Sequence, residues 1–279
     1  MPRLPPRARS GPELAAARRR LDVELVSRGL AASRGEAEAL VSSARVLVAG
    51  AVAEKASRQV SPAEPIVVTA GLPRYASRGG EKLEAALGSF GVNVTGKEAL
   101  DAGASTGGFT DCLLAWGARR VLAVDVGRGQ LLLRLRRDPR VEVVEGVNVR
   151  RLQPSDLGGR RFPLVVADLS FISLTVVASA LVGLALPGAD LVVLVKPQFE
   201  AGRAAVSRGK GVVRDPEVWA GALKRVTAAF AAVGAGLAGA CVSPLEGAAG
   251  NVEFFLHLRA GEPSVSVGLD ELARRAWRR

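Results

Sequence analysis

The pattern of apolar and polar positions divides the chain into two parts. From Glu98 onward, short runs of apolar residues alternate with longer segments in which apolar residues recur at helical spacing. This alternation predicts an α/β fold in which helices cover a mostly parallel sheet. The predicted strands are Glu98–Ala102, Arg120–Val126, Val141–Glu145, Leu164–Asp168, Leu191–Val195, Gly239–Val242 and Val252–Leu258. The predicted helices lie near Glu81–Phe90, Gly108–Trp116, Gln130–Arg137, Leu174–Leu186 and Pro216–Val233.

The segment before this region has a different pattern and predicts a small α+β unit. A short apolar-periodic segment, Leu21–Val26, predicts a first helix. Ser33 and Glu36 have the spacing of a capping box, so a second helix should begin there. Two short strands are predicted at Val46–Val48 and Ile66–Val68.

Composition favours a polyanionic partner. The 279 residues, 48% of them hydrophobic, suffice for one α/β core and a small additional domain. A formal charge of +11 and a pI near 10.8 favour nucleic acid or an anionic membrane as partner. The segment 21–68 is not basic on average, so any RNA-binding face there must come from the arrangement of its charges.

The sequence argues against several classes of chemistry and of location. Cys112 and Cys241 lie far apart without a CxxC motif, so we expect no disulfide framework, no metal site and a cytoplasmic location. His257 is the only histidine and stands in an alternating run, which favours a strand residue over a catalyst. Residues 1–20 are basic but lack the apolar core of a secretory signal. The apolar stretch Phe171–Leu186 is shorter than the ~20 residues of a membrane span, so it predicts a loop and a buried helix.

A Gly-rich turn follows the first long strand, in the sequence Leu100-Asp-Ala-Gly-Ala-Ser-Thr-Gly-Gly-Phe109. A strand that runs through such a turn into a helix lets a cofactor approach the backbone closely. Ser105 occupies the second glycine position of a dinucleotide-binding fingerprint, which favours S-adenosylmethionine over NAD. Asp125 ends the next strand, where an acid can bind ribose hydroxyls. An ordinary βα turn is the alternative.

Two lysines and two carboxylates are candidates for chemistry. Asp168 and Lys196 each follow an apolar strand directly, so they should point into the crevice beyond the strand ends. For Lys82 the alternative is a solvated helix position. For Glu253 it is a charge on a strand face.

Longer motifs carry a family resemblance. They are Arg74-Tyr-Ala-Ser-Arg-Gly-Gly-Glu-Lys-Leu83, Leu100 to Asp111, Ala123-Val-Asp-Val-Gly-Arg-Gly-Gln-Leu131, Asp168-Leu-Ser-Phe-Ile-Ser-Leu174, Lys196-Pro-Gln-Phe-Glu200 and Gly211-Val-Val-Arg-Asp-Pro216. With these motifs the chain resembles the TlyA family of ribosomal RNA cytidine-2′-O-methyltransferases, often named haemolysins, from about Leu21 to Leu258. The chain also resembles an S4-type RNA-binding domain at Arg20-Leu-Asp, Arg28-Gly-Leu, Ala32-Ser-Arg34, Val46 to Gly50 and Val60. A short helical pair with solvated arginines is the alternative for that segment.

The resemblance implies a class I, Rossmann-like methyltransferase domain with a seven-stranded sheet behind an S4-type domain. The implied organisation is a disordered basic arm (1–18), an S4-type domain (19–70), a linker (71–77), a methyltransferase domain (78–262) and a basic C-terminal tail (263–279). The implied catalytic set is Lys82, Asp168, Lys196 and Glu253. The residues expected to bind S-adenosylmethionine are Asp101, Gly103, Ala104, Ser105, Thr106, Gly107, Gly108, Phe109, Asp125, Val126, Asn148 and Asp168. The residues expected to bind RNA are Arg20, Arg28, Ser33, Arg34, Lys55, Arg58 and Arg78.

The expected partner is ribosomal RNA, with Lys196 as the base that takes the proton of a ribose hydroxyl and the two carboxylates orienting the lysines. The basic side chains after Lys196 would close on the RNA backbone or form a solvated loop; they are Arg203, Arg208, Lys210 and Arg214. Three alternatives remain: a membrane-lytic protein, a non-catalytic ribosome-binding factor and, less favoured, a pseudouridine synthase. The membrane alternative lacks a spanning segment, and no membrane partner is expected.

Overall fold

A computed structural model describes residues 18–71, 74–201, 211–247 and 250–278. These residues form two compact units, one of residues 18–49 and 53–71 and the other of residues 50–52 and 74–278. The predicted basic arm lies outside the described residues except for Arg18, and so do two residues of the predicted linker.

The first unit is the small α+β unit that the sequence predicted. Its elements are β1 (Arg19–Arg20), α1 (Leu21–Ser27), α2 (Arg34–Ser42), β2 (Val46–Val48), β4 (Gln59–Val60) and β5 (Ile66–Val68). Strand β2 pairs with β5 and strand β1 with β4, both antiparallel. The predicted helix start is confirmed, because the Ser33 hydroxyl accepts a hydrogen bond from the Glu36 amide. Apolar residues of both helices and of the strands form its buried core.

The second unit contains a seven-stranded sheet, and the predicted α/β class is confirmed. Strand β3 (Ala51–Val52) also belongs to this unit. The strands of the large sheet are β6 (Glu98–Ala102), β7 (Arg120–Asp125), β8 (Val141–Glu145), β9 (Phe162–Ala167), β10 (Ala185–Val195), β11 (Ala235–Val242) and β12 (Phe254–Ala260). Their order is β11-β12-β10-β9-β6-β7-β8. All neighbouring pairs are parallel except those of β12, which runs antiparallel to both β10 and β11.

Helices cover this sheet. They are α3 (Arg78–Phe90), α4 (Gly108–Ala115), α5 (Leu133–Arg136), α6 (Leu174–Gly183), α7 (Pro197–Glu200), α8 (Pro216–Ala232) and α9 (Leu269–Trp277). Helix α3 packs against α4, and α8 packs against α6 and α9. Among the described residues, no helix is both long and apolar enough to cross a bilayer.

Two predictions about this unit are wrong. The predicted helix over Leu174–Leu186 ends at Gly183, and β10 begins at Ala185 and continues through an irregular register before Asp190. The predicted tail is not merely basic, because Leu269, Ala273 and Ala276 form a buried stripe along α9. The second unit therefore includes residues beyond the predicted boundary at 262.

A buried charge cluster surrounds Asp190, which lies midway along β10 where its regular pairing with β9 resumes. Asp190 accepts hydrogen bonds from Lys97 Nζ at 3.0 Å and Arg259 Nη1 at 3.0 Å, and its Oδ1 lies 2.9 Å from His257 Nε2. Burial raises the pKa of Asp190, but the bonds from His257 and Lys97 outweigh it and hold that pKa well below its usual range. His257 lies in β12, as predicted, and its ring stacks on Phe90 with centroids 5.3 Å apart.

Candidate active site

The Gly-rich turn joins the carboxyl end of β6 to α4. Gly103 and Gly107 have φ of 90° and 99°, in the left-handed region that favours glycine, and Ser105 has φ of 48°. A Cβ at position 103 would collide with the carbonyl oxygen of Asp168. The turn therefore holds its main chain directly against the Asp168 segment, which a larger residue would prevent.

A cavity of about 530 Å³ opens beside this turn. It lies between β6 and β9, where the strand order reverses and where doubly wound folds bind ligands. Six of the predicted cofactor-binding residues line it: Gly103, Ser105, Asp125, Val126, Asn148 and Asp168. The residues that also line it but were not predicted are Val124, Gln130, Val147, Val149, Leu169, Ser170, Phe171 and Ile172.

Asp125 ends β7 at the wall of the cavity. Its carboxylate accepts hydrogen bonds from the Ser105 amide at 2.8 Å and the Gly127 amide at 2.7 Å. These bonds fix the carboxylate between the two turns that follow β6 and β7. The side chain is therefore held in one orientation at the wall of the cavity.

The other predicted cofactor-binding residues do not line the cavity. Asp101 is fully buried, and its Oδ2 accepts a 2.6 Å hydrogen bond from the Thr110 hydroxyl. Burial raises the pKa of Asp101 to about 7. Phe109 is buried and stacks on Phe255, with ring centroids 6.1 Å apart. The backbone of the turn is completed by Ala104, Thr106, Gly107 and Gly108.

The two candidate lysines and the two candidate carboxylates form two ion pairs. Lys82 Nζ, from the first turns of α3, donates to Glu253 Oε2 at 2.6 Å in a buried contact. Lys196 Nζ lies 2.5 Å from Asp168 Oδ1 and donates to the Ser170 hydroxyl at 2.9 Å. The Asp168 side chain is 25% exposed, whereas that of Glu253 is 3% exposed. The second pair is therefore the more accessible to a ligand.

Strand register brings both ion pairs to the end of the sheet at which the parallel strands β9 and β10 finish. Val195 lies opposite Phe254 in the antiparallel pair of β10 and β12, so the next positions, Lys196 and Glu253, are also neighbours. Asp168 follows the end of β9, which lies beside β10 on its other side. The sequence-predicted set is thus brought together where β9 and β10 end, and Asp168 also lines the cavity.

Phe171 is an aromatic residue at the cavity that the sequence analysis did not single out. The residue is 91% exposed, and its φ is 64°. Its ring contacts that of Phe199, with centroids 5.3 Å apart. An exposed large aromatic side chain in a strained conformation beside a cavity is a candidate binding group. Only the position of its motif after β9 could have indicated it.

In the first unit, two of the predicted RNA-binding arginines share one buried carboxylate. Asp22 has no exposed surface and accepts hydrogen bonds from Arg20 Nε at 3.1 Å and Arg34 Nη2 at 2.9 Å. The bond from Arg20 is the main reason that the pKa of Asp22 lies well below its usual range, and the bond from Arg34 adds to it. The arginine side chains remain 43% and 59% exposed. Both guanidinium groups are therefore oriented and accessible.

The remaining predicted RNA-binding residues are more scattered. Arg28 donates to Glu24 and to the carbonyl oxygens of Ser61, Pro62 and Glu64, so it holds a loop of its own unit. The placements of the others are as follows: Ser33 caps α2, Lys55 is exposed, Arg58 lies 3.6 Å from Glu64, and Arg78 begins α3 in the second unit. Arg203, Arg208 and Lys210 lie outside the described residues, whereas Arg214 is exposed.

Comparison with known proteins identifies both units. A family model described as FtsJ-like methyltransferase matches residues 75–260, and an S4 domain model matches residues 19–66. The chain is 48% identical over 264 residues to the 16S/23S rRNA (cytidine-2′-O)-methyltransferase TlyA of Mycobacterium tuberculosis, covering 94% of this chain and 98% of the relative. It is 37% identical over 238 residues to Hemolysin A of Brachyspira hyodysenteriae, covering 85% and 98%. A solved hemolysin structure from Streptococcus thermophilus matches with a TM-score of 0.75 and 36% identity over 95% and 97% of the two chains.

The fold, the site and these similarities define an FtsJ-like methyltransferase that has an S4 domain before it. Within that class, the chain belongs to the TlyA family.

Proposed function

We propose that this chain transfers a methyl group from S-adenosylmethionine to the ribose 2′-hydroxyl of a cytidine in ribosomal RNA. The observation that carries this proposal is the geometry of two lysine–carboxylate pairs at one sheet edge, beside the cavity of the Gly-rich turn. Membership of a methyltransferase family supports the reaction, and the name of the Mycobacterium tuberculosis relative supports the position that is methylated.

The cavity residues suit S-adenosylmethionine. The volume of the cavity, about 530 Å³, lies within the range of ligand pockets. Asp125 would accept the ribose hydroxyls, Gly103 would allow the main chain to approach, and Asn148 would supply an amide. When bound, S-adenosylmethionine supplies an electrophilic methyl group.

The chemistry requires a base, because a ribose hydroxyl is a weak acid and a poor nucleophile. Lys196 Nζ in its neutral form accepts the hydroxyl proton. Asp168 holds this amine in place, as its 2.5 Å contact indicates. Glu253 orients Lys82, whose positive charge stabilises the developing oxyanion.

RNA binding would use both units. The exposed guanidinium groups of Arg20 and Arg34, held by Asp22, are suited to bind phosphates. The exposed ring of Phe171 offers a face on which an unstacked base can lie. Because the substrate is ribosomal RNA, the cytoplasmic location expected from the sequence is part of the same proposal.

A direct assay tests this function. Ribosomal subunits from cells that lack the protein are incubated with purified protein and S-adenosylmethionine, and the RNA is digested to nucleosides for mass spectrometry. We expect 2′-O-methylcytidine to appear only when protein and cofactor are both present. A methylated base, a different methylated nucleoside or no methylation would contradict the proposal.

The hemolysin names of relatives suggest membrane lysis as a second candidate. The charge of +11 would favour anionic lipids. Dye leakage from vesicles that contain anionic lipid distinguishes the two functions, and we expect none at protein concentrations that support methyl transfer. Leakage at those concentrations would favour the second candidate.

A further inference from the structure

Two loops at the carboxyl ends of neighbouring parallel strands carry the reactive end of the site. The first follows β9 and holds Asp168 and Phe171, and the second follows β10 and begins with Lys196. Their side chains meet at Lys196 with Asp168 and at Phe199 with Phe171. A third contact lies farther from the cavity and involves Glu200.

Glu200 ends α7 and reaches across to the first loop. Its carboxylate accepts hydrogen bonds from the Ser173 hydroxyl and from the Leu174 amide, the latter at 2.8 Å. Both donors lie at the beginning of α6, where a carboxylate is also stabilised by the helix dipole. The carboxylate thus joins the end of α7, in the second loop, to the end of the first loop.

The main chain of Glu200 is itself anchored. Arg225 Nη2, from α8, donates to the Glu200 carbonyl oxygen at 3.1 Å. The side chain therefore extends from a position that is fixed by a long helix, and its two acceptor bonds transmit that position to the loop that carries Phe171. Burial raises the pKa of Glu200, although the bonds from Ser173 and Leu174 oppose this shift.

We propose that Glu200 is a positioning residue that holds the loop of Asp168 and Phe171 in register with the loop of Lys196. The inference rests on the function proposed above and adds a residue to it. Glu200 is not among the residues that line the cavity, and its side chain acts through the two loops. Since small displacements of reacting groups lower the rate steeply, its loss should reduce turnover more than binding.

The test compares Glu200→Ala with the isosteric Glu200→Gln. Gln retains an oxygen for the Leu174 amide and an NH₂ group that can donate to the Ser173 hydroxyl, so it should keep the loops joined. We expect Glu200→Ala to lower kcat by about 10²-fold, a larger change than in the KM for RNA or in the Kd for S-adenosylmethionine. Glu200→Gln should stay within about fivefold of the wild-type kcat.

Two further measurements separate positioning from general stability. Hydrogen exchange should accelerate over residues 169–175 in Glu200→Ala but not in Glu200→Gln, a readout that does not require activity. Asp190→Ala, five residues before the end of β10 and outside the two loops, is the control for lost stability and should keep kcat per folded molecule. The proposal is overturned if Glu200→Ala keeps its kcat per folded molecule, or if Asp190→Ala loses as much. Wild-type protein that transfers no methyl group would instead refute the proposed function.

Discussion

The two ends of the large sheet both hold buried charges, but they arrange them differently. At the amino end, Asp190 is bonded to Lys97, His257 and Arg259, so one carboxylate serves three nitrogen donors. At the carboxyl end, each lysine meets one carboxylate, and Asp168 also borders the cavity.

This difference separates a structural cluster from a reactive one. Three of the roughly four acceptor positions of the Asp190 carboxylate are occupied, and removing the carboxylate takes the counter-charge from Lys97. Lys196 has one carboxylate and one hydroxyl as partners, and both belong to residues that line the cavity, where a lysine can exchange a proton with a substrate. The number of nitrogen donors around each carboxylate, rather than burial alone, distinguishes the two ends of the sheet.

The largest effect is expected from Lys196→Ala. If Lys196 is the base, methyl transfer should fall by about 10³-fold, within the range of general base catalysis. Calorimetry should find S-adenosylmethionine affinity unchanged, and filter binding should find RNA affinity unchanged. Lys224→Ala, which breaks the exposed pair with Asp270, is the matched control. Turnover near the wild-type value in Lys196→Ala would remove this lysine from the mechanism.

Asp190→Ala should affect stability instead of activity. Three donors would lose their shared acceptor, so we expect the free energy of unfolding to fall by about 3 kcal/mol, as measured by urea denaturation. Glu262→Ala removes an exposed partner of the same Arg259 and should cost less than about 1 kcal/mol. Equal losses in the two variants would mean that the cluster adds nothing beyond a surface ion pair.

The two ends should also respond to pH in opposite directions. The pKa of Asp190 is held below its usual range, so its contribution to stability is present above about pH 4 and is lost as the pH falls through the folded-state pKa.

Near the other end, the raised pKa of Asp101, about 7, gives a contribution that is complete below about pH 4 and is lost as the pH rises toward 7. Without cofactor, Asp101→Asn should therefore flatten the unfolding free energy between about pH 5 and 8, by up to about 3 kcal/mol. Urea denaturation across this range provides the measurement, and a slope unchanged from wild type would contradict the expectation.

The smallest effect is expected at Asp22. This buried carboxylate has several donors, like Asp190, but the two arginines that it binds are exposed. Asp22→Asn should leave Arg20 and Arg34 less well oriented and weaken RNA binding by about fivefold, close to 1 kcal/mol. Filter binding at several salt concentrations measures this change. Asp138→Asn, which alters a similar pair with Arg140 in the second unit, is the control. If both variants bind RNA equally well, the hydrogen bonds of Asp22 stabilise the first unit but do not contribute to RNA binding.

Much of the fold could be predicted from the sequence. Strands β6 and β8 begin and end where the apolar runs do. The run Phe171–Leu186 misled because continuous apolar residues suit a buried helix and a buried strand equally, so the break at Gly183 left no signal. Helix α9 was missed because its arginines obscured the small apolar stripe of Leu269, Ala273 and Ala276.

The sequence predicted which residues belong to the candidate site better than it predicted the contacts between them. The position of Asp168 and Lys196 after strands indicated the crevice, and the family resemblance supplied Lys82 and Glu253. Their pairing joins residues that are 171 positions apart and depends on the packing of α3 beside β12. Phe171 and Glu200 were not identified because backbone angles and contacts between loops have no local sequence pattern.

The packing of α9 gives the protein a built-in optical reporter. Trp277 on α9 meets Trp219 on α8 with ring centroids 6.3 Å apart, and these are two of the three tryptophans in the chain. Trp219 is buried and Trp277 is 56% exposed, so detachment of the last helix would change the surroundings of both rings. Intrinsic fluorescence can therefore follow the docking of the C-terminal helix without any added label.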